Sequence, residues 1–305
     1  MANRTQTAAA ERADRLRRVN DQTPLDRLVD LLDLETIEVD IFRGQQPRGS
    51  YQRVFGGQVA GQALVAAGRT VPQDRPVHSL HAYFLRPGDP TVPIVFEVDR
   101  IRDGRSFTTR RVVAIQHGKP IFNLSASFQT AEPGLEHQRT MPDVPDPESL
   151  PTVQERMKAY AEEVGGWSTR PRPIDVRYVT DPPRVLRDRG GDRESQSKVW
   201  MRADGVLPDD PLLHVCLVTF ASDMTLLDST LSTHGLATGP DEFQLASLDH
   251  AMWFHQPFRA DEWWLYDQES PRTGGGRGLA RGEIYTRGGE LAVSVVQEGL
   301  IRVRA

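Results

Sequence analysis

Apolar and polar residues alternate along much of this chain in short runs, and two longer apolar stretches interrupt the rhythm. The runs "VHSLHAYFLRPG", "VPIVFEVDRIRDG", "SFTTRRVVAIQHG" and "KPIFNLSASFQ" predict an antiparallel series of strands, with hairpin turns at Asp103-Gly104 and His117-Gly118. The stretch before them, "VFGGQVAGQALVAAGRTV", predicts a helix. Its small residues Ala60, Gly61, Ala63, Ala66 and Ala67 would let it lie very close to another surface, as a helix cradled by a curved sheet must. Ahead of it, "TPLDRLVDLLDLETIEVDIFRGQQP" reads as a short helix followed by a strand.

Residues 131–172 break the pattern. They are rich in proline and acid and read as a linker, with a short helix over "VQERMKAYAEEV". The first pattern then recurs: strands at "IDVRYVTDP" and "SKVWMRADGVLP", a helix over "DPLLHVCLVTFASDMTLLDSTL", and strands at "FQLASLDHAMWFHQPF", "EWWLYDQESPRT", "GRGLARGEIYTRGG" and "ELAVSVVQEGLIRVR". "SLHAYFLRP" from Ser79 answers "SLDHAMWFHQP" from Ser247, and Phe55-Gly56-Gly57-Gln58 sits against Phe220-Ala221-Ser222-Asp223. Two copies of one unit, a helix on an antiparallel sheet, account for this better than chance similarity does. The expected organisation is a polar tail over 1–22, a first repeat over 23–130, the linker over 131–172 and a second repeat over 173–305.

The second helix carries an anomaly. At helical spacing Cys216, Phe220, Asp223 and Leu227 share one stripe, which is apolar except for Asp223. An unpartnered buried carboxylate costs several kcal/mol, so a carboxylate here needs partners or a task. In the first copy the aligned residue is the neutral Gln58 and Ser79 matches Ser247, so a carboxylate stands in one repeat only.

Composition narrows the classes. A net charge of −5 gives no general case for nucleic-acid or membrane binding. The single cysteine, Cys216, excludes an intrachain disulfide framework and fits a reducing compartment, where it reads as a small core residue. No apolar run approaches the ~20 residues of a membrane span, and the N-terminus lacks the apolar core of a signal peptide. A cytoplasmic protein is expected.

"FGGQVAGQAL", "SLHAYFLRPGD", "DGRSFTTRRVVAIQ", "SLDHAMWFHQPF" and "RGLARGEIYTRGGELAVSVVQEGLIR" together resemble the acyl-CoA thioesterase II family, over nearly the whole chain beyond the tail. The resemblance implies an α+β fold, the double hot dog, in which each of two repeats wraps a curved antiparallel sheet around a central helix. It implies hydrolysis of fatty acyl-CoA thioesters to free acid and CoA, by an Asp, a hydroxyl residue and a Gln around one water. Carried over by motif, these are Asp223, Ser247 in "LASLDHAMWFH" and Gln297 in "SVVQEGLIR". Ser247 stands where the family more often has threonine; it keeps the hydroxyl and loses the methyl that restricts χ1.

The chemistry suits these residues. A thioester is an activated acyl group whose thiol leaves as a thiolate, so the site needs a positioned water, a base and oxyanion donors more than it needs an acid. Asp223 is the candidate base, with Ser247 and Gln297 as its aiming groups. The counterpart of Gln297 in the first repeat is Ala126 or Ser127, so one working site per chain is expected. The amides of Gly57 and Gln58 are candidate oxyanion donors, and His81 and Arg105 complete the substrate-binding candidates, Arg105 being one of four arginines with Arg102, Arg110 and Arg111 that could meet the phosphates of CoA. His81 also reads as a structural histidine. A rival mechanism, Ser247 as nucleophile with His250 as base, is disfavoured because residues three apart on a regular strand face opposite ways. No metal or other cofactor is implied: the histidines and acids around Asp249 lack zinc spacing, and "TGGGRG" lacks the Lys-Ser/Thr of a phosphate loop. Hot-dog proteins associate through sheet edges, so a homodimer or tetramer is expected. Two other functions stay open: an enoyl-CoA hydratase using Asp228 and His234, and a non-catalytic acyl-CoA-binding module.

Overall fold

The computed structural model describes residues 22–47, 53–160, 162, 171–189, 196–236 and 243–303. Apart from Gln22, the expected N-terminal tail lies outside them. The chain opens with helix α1 (Pro24–Leu32), started by a capping box in which the Thr23 hydroxyl accepts from the Asp26 N–H and the Asp26 carboxylate accepts from the Thr23 N–H. Strands β1 (Glu35–Glu38) and β2 (Ile41–Gly44) follow, then the central helix α2 (Gly56–Gly68) and strands β3 (Val77–Phe84), β4 (Ile94–Asp103), β5 (Phe107–Gln116) and β6 (Lys119–Gln129). His117 and Gly118 both have positive φ, 50° and 68°, as a two-residue turn between β5 and β6 requires.

Among its described residues the linker carries the short α-helix α3 (Val153–Arg156), which gives way to a 3-10 turn over Lys158–Tyr160 where one continuous helix was expected. Upstream of it the chain runs irregularly over the second half: the Gln138 side chain bonds Gly289 and Leu291, and the Trp200 indole donates to the Pro145 carbonyl. The second repeat comprises β7 (Ile174–Tyr178), α4 (Pro183–Arg189), β8 (Gln196–Ala203), the central helix α5 (Pro211–Ser222), α6 (Asp228–Ser232), β9 (Phe243–Ser247), β10 (Asp249–Phe254), β11 (Trp264–Gly274), β12 (Arg277–Thr286) and β13 (Leu291–Val303). The one long helix expected here ends at Ser222, and turns separate it from α6, so Leu227 does not share a helix with Asp223.

Along its main path the sheet runs β1-β2-β4-β5-β6-β3-β10-β13-β12-β11-β8-β7, with β9 on β13. It is a palindrome of repeats: β3 and β10 pair at the centre, and each half proceeds outward in the same order of equivalents. The two repeats superpose in sequence at a constant 170 residues over β3 to β5, where Phe84 and Phe254 end their strands and Phe107–Gln116 matches Arg277–Thr286. That corrects the expected alignment by two residues: Ser247 corresponds to Val77, and Ser79 to Asp249. Beyond the turn, pairing of Arg110 with Ala126 and of Ala280 with Gln297 makes Ala126 the counterpart of Gln297.

The two central helices run antiparallel against each other. A Cβ on Gly57 would lie 2.2 Å from the Phe220 carbonyl oxygen, one on Gly61 3.1 Å from the Cys216 oxygen, and one on Gly68 2.6 Å from Leu212. The glycines of α2 thus serve helix-to-helix contact, and its Ala63, Ala66 and Ala67 are fully buried. Because the helices oppose each other, the amino end of α2 meets the carboxyl end of α5. No described helix is long and apolar enough to cross a membrane.

Candidate active site

Asp223 is the C-cap of α5, in helical conformation at φ −83° and ψ −3°, and not an interior helix residue. Aligning the ends of the two central helices pairs it with Arg69, the C-cap of α2, and not with Gln58. A carboxylate at the carboxyl end of its own helix faces the negative end of that helix's dipole. The antiparallel packing offsets this, because the first-turn N–H of Gly57 on α2 donates to Asp223 Oδ2 at 2.9 Å.

Asp223 Oδ1 accepts from the Ser247 hydroxyl at 3.0 Å and from Gln297 Nε2 at 2.8 Å, and Gln297 Nε2 also donates to Ser247 Oγ at 2.7 Å. The three side chains selected from sequence therefore meet. They touch one another directly, which leaves no gap for a water between them. Asp223 and Ser247 are partly exposed while Gln297 is fully buried, which gives the site an open and a closed side. On the open side Phe84 abuts Gly56 next to Asp223 Oδ2, and Phe55 stacks edge-on against Phe220 at 5.1 Å.

Strand geometry explains how each residue arrives. On β13 Val293, Val295 and Gln297 alternate toward the core. On the neighbouring chain Ser247 pairs with Gly299 and Ala251 with Val296, so four steps face three. This is a β-bulge, held by the Asp249 carboxylate accepting from the Glu298 N–H at 2.6 Å. The extra residue shifts the parity, so Ser247 and His250 face the same way, contrary to the expectation from a regular strand. His250 nevertheless bonds Gln297 Oε1 through Nδ1 at 2.8 Å and Ser222 Oγ through Nε2 at 2.8 Å, and neither nitrogen bonds Ser247. Sequence reading missed His250 and Ser222 as neighbours of the site, because the bulge that turns them inward is a property of the pairing and has no local signature.

The remaining candidates lie elsewhere or are otherwise engaged. The Gly57 N–H is taken by Asp223 and so does not face a substrate oxyanion. The Gln58 side chain is buried and donates to Gln46 Oε1 at 3.1 Å, tying down the segment after β2. His81 is exposed on the other face of the sheet, its ring edge-on to Trp253 at 5.2 Å. Arg105 is in the exposed β4–β5 turn, where its carbonyl accepts from Arg75 near the far end of α2. Of the hydratase pair, His234 bonds Thr273 on the exposed side, whereas Asp228 is partly buried near Tyr178. Cys216 is fully buried, and burial pushes its thiol well above the usual range.

Residues 170–300 match the acyl-CoA thioesterase family profile and residues 45–129 match the profile of the acyl-CoA thioesterase N-terminal domain. Human acyl-coenzyme A thioesterase 8 is 42% identical over 294 residues, covering 90% of this chain and 88% of the human protein. Acyl-CoA thioesterase 2 of Haemophilus influenzae is 38% identical over 285 residues, covering 91% and 98%. The crystal structure of an acyl-CoA thioesterase II from Mycobacterium marinum is similar at a TM-score of 0.74 with 50% identity, covering 91% of this chain and 99% of that one.

Proposed function

The chain belongs to the acyl-CoA thioesterase family and hydrolyses acyl-CoA thioesters, and we propose that it does so with a water activated by Asp223 and aimed by Ser247 and Gln297. The convergence of these three groups within 3.0 Å carries this reading. Asp223 Oδ1 already accepts two hydrogen bonds and Oδ2 one, so Oδ2 retains a lone pair on the partly exposed side for a proton from water. As that proton moves to Oδ2, the water oxygen bonds to the thioester carbonyl carbon. Collapse of the tetrahedral intermediate breaks the C–S bond, and CoA leaves as a thiolate that takes up the proton held by Asp223. Ser247 keeps a lone pair that can accept the water's second hydrogen. Of the two candidate amides, that of Gln58, on the first turn of α2 where helix amides lack intrahelical acceptors, remains as a donor for the developing oxyanion. The acyl chain would run along Phe55 and Phe84.

Release of free thiol from a series of acyl-CoAs tests the assignment, with Asp223→Asn as the control for the base. Loss of a general base typically costs about 10²–10⁴-fold. Turnover that survives Asp223→Asn in folded protein would remove Asp223 from the mechanism.

A cytoplasmic homodimer or homotetramer joined through the outer strands β1 and β7 belongs to the same proposal. It is supported by the position of those strands at the ends of the sheet and by a single cysteine kept in the core.

A further inference from the structure

Two buried side chains beside the cluster have no part in the reaction above. His250 is 1% exposed and Ser222 is fully buried, and they continue the hydrogen-bond chain inward from Gln297. The direction of each bond follows from the carboxylate. An ionised Asp223 can only accept, so Gln297 turns its NH₂ toward Asp223 and Ser247 and its Oε1 toward His250. An acceptor facing Nδ1 requires the imidazole proton to be there. Burial holds the ring below the usual histidine range, against the pull of Asp223 and Asp249, so the ring is neutral with one N–H. Its Nε2 then carries a lone pair 2.8 Å from Ser222 Oγ, whose one hydrogen lies between this nitrogen and the Thr219 carbonyl oxygen at 3.0 Å. Tyr266 holds the Ser222 backbone in turn, its hydroxyl donating to the Ser222 carbonyl at 3.2 Å.

We propose that His250 and Ser222 are positioning residues that hold the Gln297 amide in place from the buried side, and through it the geometry of Asp223 and Ser247. The inference rests on the water mechanism above. A flipped amide would set Oε1 against the Asp223 carboxylate, which can only accept. The acid thus sets the orientation of the amide, and the His250 bond to Oε1 at 2.8 Å holds it in place from the buried side.

The duplicated fold supplies an internal control. The set Ser222, Asp223, Ser247, His250 and Gln297 corresponds in the first repeat to Gly68, Arg69, Val77, Leu80 and Ala126. Leu80 and Ala126 are as deeply buried as the residues they match, and the same bulge is present, Val77 pairing with Phe128 and Ser79 with Ser127. The first repeat thus makes the same backbone with apolar residues at the histidine and glutamine positions. His250 and Ser222 occur where the catalytic set occurs and are absent where it is absent, so the backbone does not depend on them.

The test measures kcat and KM for thiol release from one acyl-CoA with His250→Leu, His250→Asn, Ser222→Ala, Gln297→Ala and the double variant His250→Leu/Gln297→Ala, with melting temperatures alongside. His250→Leu, which copies the first repeat, should lower kcat by about 10- to 100-fold, the usual cost of losing a group that orients a functional ligand, with KM little changed. His250→Asn, whose amide can still donate to Gln297, should recover most of that loss. In the Gln297→Ala background His250→Leu should cost less than about twofold, because the residue it orients is gone. Wild-type kcat in His250→Leu, or the same loss with and without Gln297, would overturn the positioning role while leaving the water mechanism standing. Full turnover in Gln297→Ala would overturn both. Should His250→Leu not fold, Ser222→Ala carries the test: a loss confined to kcat supports the chain of bonds and an unchanged kcat overturns it.

Discussion

The backbone N–H of Gly57 donates to the carboxylate of Asp223 at 2.9 Å across 166 positions of sequence. One hydrogen bond thereby ties the amino end of the first repeat's helix to the carboxylate proposed as the base in the second, and neither half holds the whole cluster without the other.

Two adjacent glycines at this junction should fail differently. A methyl on Gly57 would fall 2.2 Å from the Phe220 carbonyl oxygen, which is backbone and cannot step aside, so Gly57→Ala should destabilise the protein by on the order of 3 kcal/mol and lower its melting temperature. A methyl on Gly56 meets Asp223 Oδ2 at 2.7 Å and the edge of Phe84 at 2.9 Å, both ends of side chains that can move. Gly56→Ala should therefore keep most of its stability and lose turnover. Thermal melts paired with thiol-release assays separate the two.

In the proposed mechanism Ser247 aims and does not attack, so Ser247→Ala should retain measurable activity, about 10- to 100-fold below wild type, with no acyl-enzyme detectable by mass spectrometry in either protein. Ser247→Thr should be close to wild type, since the hydroxyl is kept and its rotamers are restricted. A covalent acyl adduct on Ser247 would require the nucleophilic mechanism instead.

Asp228 should make stability depend on pH. Burial raises its carboxyl from 3.8 to about 7. The native state therefore favours the protonated acid, while the unfolded chain ionises near its ordinary value. This group costs nothing below pH ~4, and stability falls as pH rises from there to about 7. Asp228→Asn should raise the melting temperature at pH 8 by about 2 °C or more, and by less at pH 5. An equal shift at both pH values would mean that Asp228 is ionised in the folded protein.

Cys216 should resist alkylation in the native protein and react on unfolding, because the thiol is wholly buried and held protonated. Labelling at native pH, followed by mass, checks this. The result also shows that thiol reagents read CoA release without interference from the enzyme.

Most of the fold was legible because it rests on local pattern. Period-two strands, small residues on the central helix and the repetition of the whole unit need no knowledge of pairing. The motifs around Asp223, Ser247 and Gln297 were also visible as strings of residues. The parts that were not visible depend on how distant segments register. Similar letters paired Gln58 with Asp223, whereas the ends of the packed helices pair Asp223 with Arg69. A strand read as regular put His250 behind the sheet, whereas one extra residue opposite β13 brings it round to Gln297. The Gly57 amide looked free for a substrate because the first turn of an isolated helix is free. Its partner became visible only when α5 lay antiparallel beside it.

The account stands most directly on Asp223. The decisive measurement is single-turnover hydrolysis of an acyl-CoA by wild type and Asp223→Asn, with the melting temperature of each recorded. The account predicts that Asp223→Asn melts near wild type, binds the acyl-CoA and cleaves it at least about 10²-fold more slowly. Cleavage at the wild-type rate by a folded Asp223→Asn protein would contradict it.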